Sequence, residues 1–225
     1  MQTVAWVAGL CVAAGYLLGS IPFAFLVSRR RLRRDLRSDL RSLLAGAATG
    51  SRRDDVVVNV LDVAKVLLAA TLAWHLVRDA SPGFDRRVLP EFSAVGFLAD
   101  QVLTSWQSTA LWTGTAAVVG HLAPPWLGFR SGAGQAPALA LGFVYCPVGF
   151  ASGVAAFFVL LAGMRRPAVA VLAGLAGFVG ATWLAWIYDA PTSWGVTNGP
   201  ELALWATVLA GILAARTVTA ERAGT

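Results

Sequence analysis

The chain is written around uncharged stretches long enough to cross a lipid bilayer. Residues 168–188, AVAVLAGLAGFVGATWLAWIY, hold no charged side chain, and neither do residues 3–27. A helix needs roughly 20 apolar residues to span a hydrocarbon core of about 30 Å. Hydrocarbon offers no water to backbone N–H and C=O groups, so a spanning segment must be a helix or part of a closed barrel. A barrel would need short segments of alternating polarity, and the sequence has none. Of 225 residues, 57% are hydrophobic and 13% charged, against about a quarter charged in soluble domains. The expectation is an all-α fold, a polytopic membrane helix bundle forming one integral membrane domain over residues 1–225.

Further spans are read at 55–77, at about 93–119 and at 201–215, the last ending at Arg216. Between the third span and 168–188, residues 135–146 are apolar but too short to cross comfortably, and Pro147 separates them from 148–163. A short fourth helix followed by a turn near Pro147 gives about seven transmembrane helices. A single long fourth helix, giving six, is the alternative. The opening run, 3–27, is too long for a signal peptide and lacks a basic leader.

Orientation follows from arginine. The net charge of +6 rests on arginine, since Lys65 is the sole lysine, and residues 28–53 alone carry nine arginines against two aspartates. An arginine-rich loop beside a span stays in the cytoplasm, so 29–54 is read as cytoplasmic and the N-terminus as outside. The loop 120–134, with His121 and Arg130, then returns to the cytoplasm, as do Arg165–Arg166 and the C-terminus. Arg86 and Arg87 fall in an outside loop on this scheme. Because the positive charge sits in one juxtamembrane block, the partners are expected to be membrane lipids, with no nucleic acid. Cys11 and Cys146 lie in or beside apolar spans and read as small buried hydrophobes. No metal site and no cofactor are expected.

Three groups of polar residues converge at the cytoplasmic face. In GYLLGSIPFAFLVSR, Pro22 frees a backbone carbonyl and Ser20 is placed to satisfy it; a kink with a packing serine and a substrate contact both fit. Arg37 and Arg41 in DLRSDLRS are either surface charge or ligands. In VVGHLAPPWLGFRSGAG, His121 closes a helix, Arg130 offers a paired donor suited to phosphate, and Gly132 and Gly134 let a backbone approach an anion closely. Histidine is the side chain best suited to move a proton near neutral pH. Asp62 and Lys65 share a face of the second span and must find partners inside the bundle, either as a structural ion pair or in the same cavity. His75 reads as interfacial. There is no GxSxG nucleophile elbow, no HExxH and no phosphate-loop Lys-Ser/Thr.

GYLLGSIPFAFLVSR, the following DLR, LDVAK and VVGHLAPPWLGFRSGAG stand in the order of the bacterial acyl-phosphate-dependent glycerol-3-phosphate acyltransferases. The chain resembles that family over residues 13–142, with YLLGSIPF and GHxxPxxxGFRxGxG as its anchors; the later spans match in hydrophobic pattern alone. The resemblance implies seven helices in the bacterial cytoplasmic membrane. It also implies direct transfer of a fatty acyl group from acyl phosphate to the 1-hydroxyl of glycerol 3-phosphate, by a monomer without a cofactor. Matched position by position, Ser20, His121 and Arg41 become the catalytic residues, with Arg37 as the alternative to Arg41. Arg130, Gly132 and Gly134 become phosphate ligands, and Arg37 and Lys65 are read with them as substrate- or phosphate-binding. The phosphate loop departs from the family pattern: it reads Ser131-Gly132-Ala133-Gly134 where the family has Gly-Gly-Lys-Gly, and an asparagine-bearing segment after DLR is missing. Two other readings stay open, a non-catalytic relative that binds phosphate or lipid or regulates a partner, and a small transporter or assembly factor.

Overall fold

The computed structural model describes residues 2–31, 52–80, 105–129, 134–190 and 199–224. The described residues form eight α-helices: α1 (Gln2–Gly19), α2 (Phe23–Arg31), α3 (Arg52–Ala80), α4 (Ser105–Leu122), α5 (Gln135–Tyr145), α6 (Pro147–Met164), α7 (Pro167–Ile187) and α8 (Pro200–Gly224). A short 3-10 turn, Pro125–Leu127, follows α4. Since α1 and α2 share one apolar stretch, Ala5–Val27, the described helices make seven elements, of which α5 is short. Five stretches are long and apolar enough to cross a membrane: Ala5–Val27, Asp55–Ala80, Pro147–Met164, Pro167–Ile187 and Pro200–Arg222.

The opening run is not one continuous helix. Pro22 has no N–H to donate and biases Ile21 away from helical geometry, so α1 ends with Ser20 N bonded to the Tyr16 carbonyl at 2.9 Å and α2 restarts at Phe23. The last helix is longer than its apolar run, continuing past Arg216 to Gly224. Hydropathy marks where the lipid ends, whereas Ala, Glu and Arg sustain a helix beyond it. Helices α2 and α3 take in the two ends of the arginine block; of the span read at 93–119, residues 93–104 lie outside the described residues.

Helix α4 is the hub. Ala110, Leu111, Ala117 and Val118 have no exposed surface, and Gln107, Thr109, Thr113 and Thr115 are buried with them. Those polar residues keep α4 out of the strongly apolar class. They are tolerated because they face protein: Thr115 Oγ1 donates to the Leu111 carbonyl at 2.9 Å and accepts from Trp205 Nε1 of α8 at 2.7 Å. At the other end, Glu201 of α8 accepts from Ser108 and from Trp112 Nε1 of α4.

Small residues set the spacing of the helices. Without a hydrophobic drive between helices in lipid, close backbone packing supplies the association energy. Gly15 and Gly19 put α1 directly on the backbone of Thr113 and Ala117 of α4, and a Cβ on Gly153 of α6 would stand 2.8 Å from the Gly174 carbonyl of α7. Helix α5 is short, 11 residues, and Pro147 opens α6 immediately after Cys146, as the turn near Pro147 requires.

Candidate functional site

The break between α1 and α2 places a cluster of polar groups at one end of the bundle. Ser20, fully buried, donates from Oγ to the Tyr16 carbonyl at 2.7 Å. One turn earlier Tyr16 donates its hydroxyl to the Ala123 carbonyl at 2.9 Å, which ties the end of α1 to the end of α4. His121 sits at that end of α4, one residue before its close.

Asp62 and Lys65 complete the cluster from α3, about 15 Å along the helix from Arg52. Both are almost fully buried, at 4% and 3% exposure. Lys65 Nζ lies 2.7 Å from Asp62 Oδ1, 2.8 Å from the Ile21 carbonyl and 3.2 Å from His121 Nδ1, and it stands over the Phe23 ring. The Ile21 carbonyl, at the break between α1 and α2, also accepts from Phe23 N at 3.1 Å. His121 Nδ1 is 3.4 Å from Asp62 Oδ1. The carboxylate oxygen therefore has two charge or dipole partners at close range, yet neither is aligned as a hydrogen-bond donor to it.

These residues surround a small pocket of about 20 Å³, walled by Ser20, Pro22, Phe23, Asp62, His121 and Leu127 among others. A volume of that order holds one water or one hydroxyl group. The chain that leaves the wall at Pro124 turns back on itself, with Phe129 N bonded to the Pro124 carbonyl at 3.0 Å. It re-enters the described fold at Gly134, whose φ of 68° caps α5. A Cβ on Gly134 would overlap Leu122, so glycine is needed there for packing as well as for backbone conformation.

Ser20 and His121 are thus brought to one pocket, with Lys65 against its wall through Asp62, His121 and the Ile21 carbonyl, while Gly134 packs on Leu122. Arg37, Arg41, Arg130 and Gly132 lie outside the described residues. Asp62, left by the sequence between a structural ion pair and the same cavity, pairs with Lys65 and also lines the pocket. Tyr16 and the Ile21 carbonyl are the members that the sequence did not single out. A tyrosine one turn before Ser20 was the signal for the first, and the helix-stopping Pro22 for the second. Among the described residues no group of three or more His, Cys, Asp or Glu side chains is placed to hold a metal ion.

A second cavity, about 310 Å³, lies between α5, α6, α7 and α8. Its walls are apolar, with Phe150, Phe157, Phe158 and Phe178 as the large members, and Gln135 is its one amide. Gln135 opens α5, so the cavity begins at the start of that helix.

Comparison with known proteins gives a consistent picture. The family described as glycerol-3-phosphate acyltransferase matches residues 9–221. A glycerol-3-phosphate acyltransferase of Anaeromyxobacter sp. (strain Fw109-5) is 32% identical, covering 81% of this chain and 80% of the relative. One from Rhodospirillum rubrum is 36% identical over 76% of this chain and 72% of the relative. The crystal structure of PlsY (YgiH), an integral membrane glycerol 3-phosphate acyltransferase, in its glycerol 3-phosphate form, superposes with a TM-score of 0.59 at 20% identity. That likeness covers 93% of this chain and 87% of the other, and a lysophosphatidic acid form of the same protein superposes with a TM-score of 0.58.

Proposed function

The chain belongs to the glycerol-3-phosphate acyltransferase family, and on that premise we propose that it makes lysophosphatidic acid from glycerol 3-phosphate and an acyl phosphate. The 1-hydroxyl oxygen of glycerol 3-phosphate bonds to the acyl carbon, the bond from that carbon to the phosphate oxygen breaks, and the hydroxyl proton leaves with inorganic phosphate. The observation that carries the reading is the hydroxyl-sized pocket in which Ser20 and His121 meet beside the buried Asp62–Lys65 pair. No covalent acyl-enzyme is needed, in keeping with a sequence that has no nucleophile elbow. Catalysis is then a matter of holding two phosphate-bearing reactants in line and stabilising charge that develops at the carbonyl.

In this reading Ser20 and His121 touch the reacting atoms. Arg130, Arg41 or Arg37, and the backbone around Gly132 and Gly134 hold phosphate, and the apolar cavity beyond Gln135 takes the acyl chain. The protein works as a monomer in the bacterial cytoplasmic membrane, N-terminus outside, with the pocket on the cytoplasmic side where the arginine block lies.

The test is acyl transfer by purified protein in lipid, using labelled glycerol 3-phosphate and acyl phosphate. Lysophosphatidic acid formed by the wild type and lost in His121→Ala is the expected result. No product from folded wild-type protein would favour a non-catalytic relative on the same scaffold, a reading supported by Ala133 standing where the family carries lysine.

A further inference from the structure

The cluster around Lys65 determines which nitrogen of His121 carries its proton. A lysine ammonium has three hydrogens to donate and nothing with which to accept. Its neighbours here are the Ile21 carbonyl at 2.8 Å, Asp62 Oδ1 at 2.7 Å and His121 Nδ1 at 3.2 Å. The carbonyl accepts in any protonation state, and the carboxylate is the ammonium's counter-charge. The third accepts only if Nδ1 presents its lone pair. A proton on Nδ1 would set N–H against N–H at 3.2 Å beside a positive charge.

Asp62 offsets that repulsion only in part. Its Oδ1 is 3.4 Å from Nδ1, beyond the usual range of a charged hydrogen bond, and its charge is already met by the Lys65 ammonium at 2.7 Å. Turning the ring over would replace Nδ1 with a carbon against the ammonium and gain nothing. Among the described residues, Asp62 and Lys65 are the charged side chains in contact with the ring. With Nδ1 facing α3, the ring nitrogen left to meet a ligand in the pocket that His121 lines is Nε2.

We propose that Lys65 is a positioning residue that holds His121 as the neutral Nε2–H tautomer, so that the ring donates a hydrogen bond into the pocket. The functional half of this statement rests on the acyl-transfer reading above; the tautomer itself does not. In that setting His121 is a donor to an anionic oxygen of the reacting group, and the hydroxyl proton must reach an acceptor other than Nε2. Lys65 does this from a place already fixed by the end of α1, so the serine and the histidine are held in register by one side chain.

The sequence makes the measurement clean, because His75 and His121 are its two histidines and His75 is exposed near the far end of α3. Protein labelled with 15N-histidine, carrying His75→Gln and reconstituted in lipid, gives the nitrogen resonances of His121 alone. At about pH 8, where an ordinary histidine is neutral, the expected spectrum is a ring protonated at Nε2. A ring protonated at Nδ1 would overturn the proposal.

Lys65→Met removes the donor to Nδ1 and leaves Asp62 Oδ1 3.4 Å from it, so the Nδ1–H tautomer should gain population; an unchanged spectrum would count against the proposal. If the wild type transfers acyl groups, Lys65→Met should lower kcat by about ten- to a hundredfold while KM for glycerol 3-phosphate stays within about twofold. A raised KM with kcat unchanged would make Lys65 a phosphate ligand instead. Because the wild-type spectrum needs no activity, failure of the tautomer and failure of the acyl-transfer reading are told apart.

Discussion

Gly120 of α4 and Ser20 at the end of α1 stand in direct contact: a Cβ on Gly120 would be 3.0 Å from Ser20 Oγ and 2.9 Å from its backbone nitrogen, and would overlap the Tyr16 carbonyl. The serine is therefore set against His121 by a backbone-to-backbone fit that any side chain at 120 would spoil.

Gly120→Ala should push α1 off α4 where the site is assembled. The expected cost is about 1–3 kcal/mol for forcing atoms into a closed fit, read as a lower melting temperature in detergent, with at least a tenfold loss of any acyl transfer. Gly180→Ala in α7 is the control, since a Cβ there meets nothing within 4 Å. It should be neutral or stabilising by up to about 1 kcal/mol through helix propensity. Equal effects of the two substitutions would refute the close-fit argument.

Asp62 and Lys65 should behave as a unit. Removing one partner of a buried pair leaves an uncompensated charge and costs about 3–5 kcal/mol. Asp62→Asn and Lys65→Met are each expected to destabilise by that order, while the double variant should be closer to wild type than the sum of the two. Thermal unfolding of the four proteins in one detergent measures the coupling. Strictly additive losses would mean the two residues act separately.

The membrane bundle was legible because uncharged runs such as 168–188 admit almost no other fold. The short α5 and the restart at Pro147 were legible for a similar reason, since proline both ends one helix and opens the next. Helix α4 was harder to read. Its Thr113, Thr115 and Gln107 lower its hydropathy, and it belongs in the centre because those groups are buried against protein, Thr115 bonding to Trp205 of α8.

Of the site, the shared face of Asp62 and Lys65 follows from their spacing on a helix. The meeting of Lys65 with His121 joins positions 56 apart in the chain, and no local pattern announces it. The anchoring of Lys65 on the Ile21 carbonyl was equally hidden, because a backbone acceptor has no side chain to betray it.

Arg130→Ala tests the phosphate role. A charged hydrogen bond contributes about 1.5–3 kcal/mol, so KM for glycerol 3-phosphate should rise by roughly ten- to a hundredfold with the melting temperature little changed. A loss of protein stability without a change in KM would make Arg130 structural.

Ala133→Lys is the gain-of-function counterpart. On the proposed function Ser131-Gly132-Ala133-Gly134 is the phosphate-binding segment, and lysine at 133 restores the cation that the family pattern carries between the two glycines. A point charge on a flexible stem needs little geometric fitting to serve a phosphate. The expected outcome is tighter binding of glycerol 3-phosphate and a kcat/KM raised by about tenfold, equivalent to roughly 1.4 kcal/mol of added transition-state stabilisation. An unchanged kcat/KM would mean that another cation already meets the phosphate. Arg52 and Arg53, which open α3, are then the first residues to substitute in the same assay.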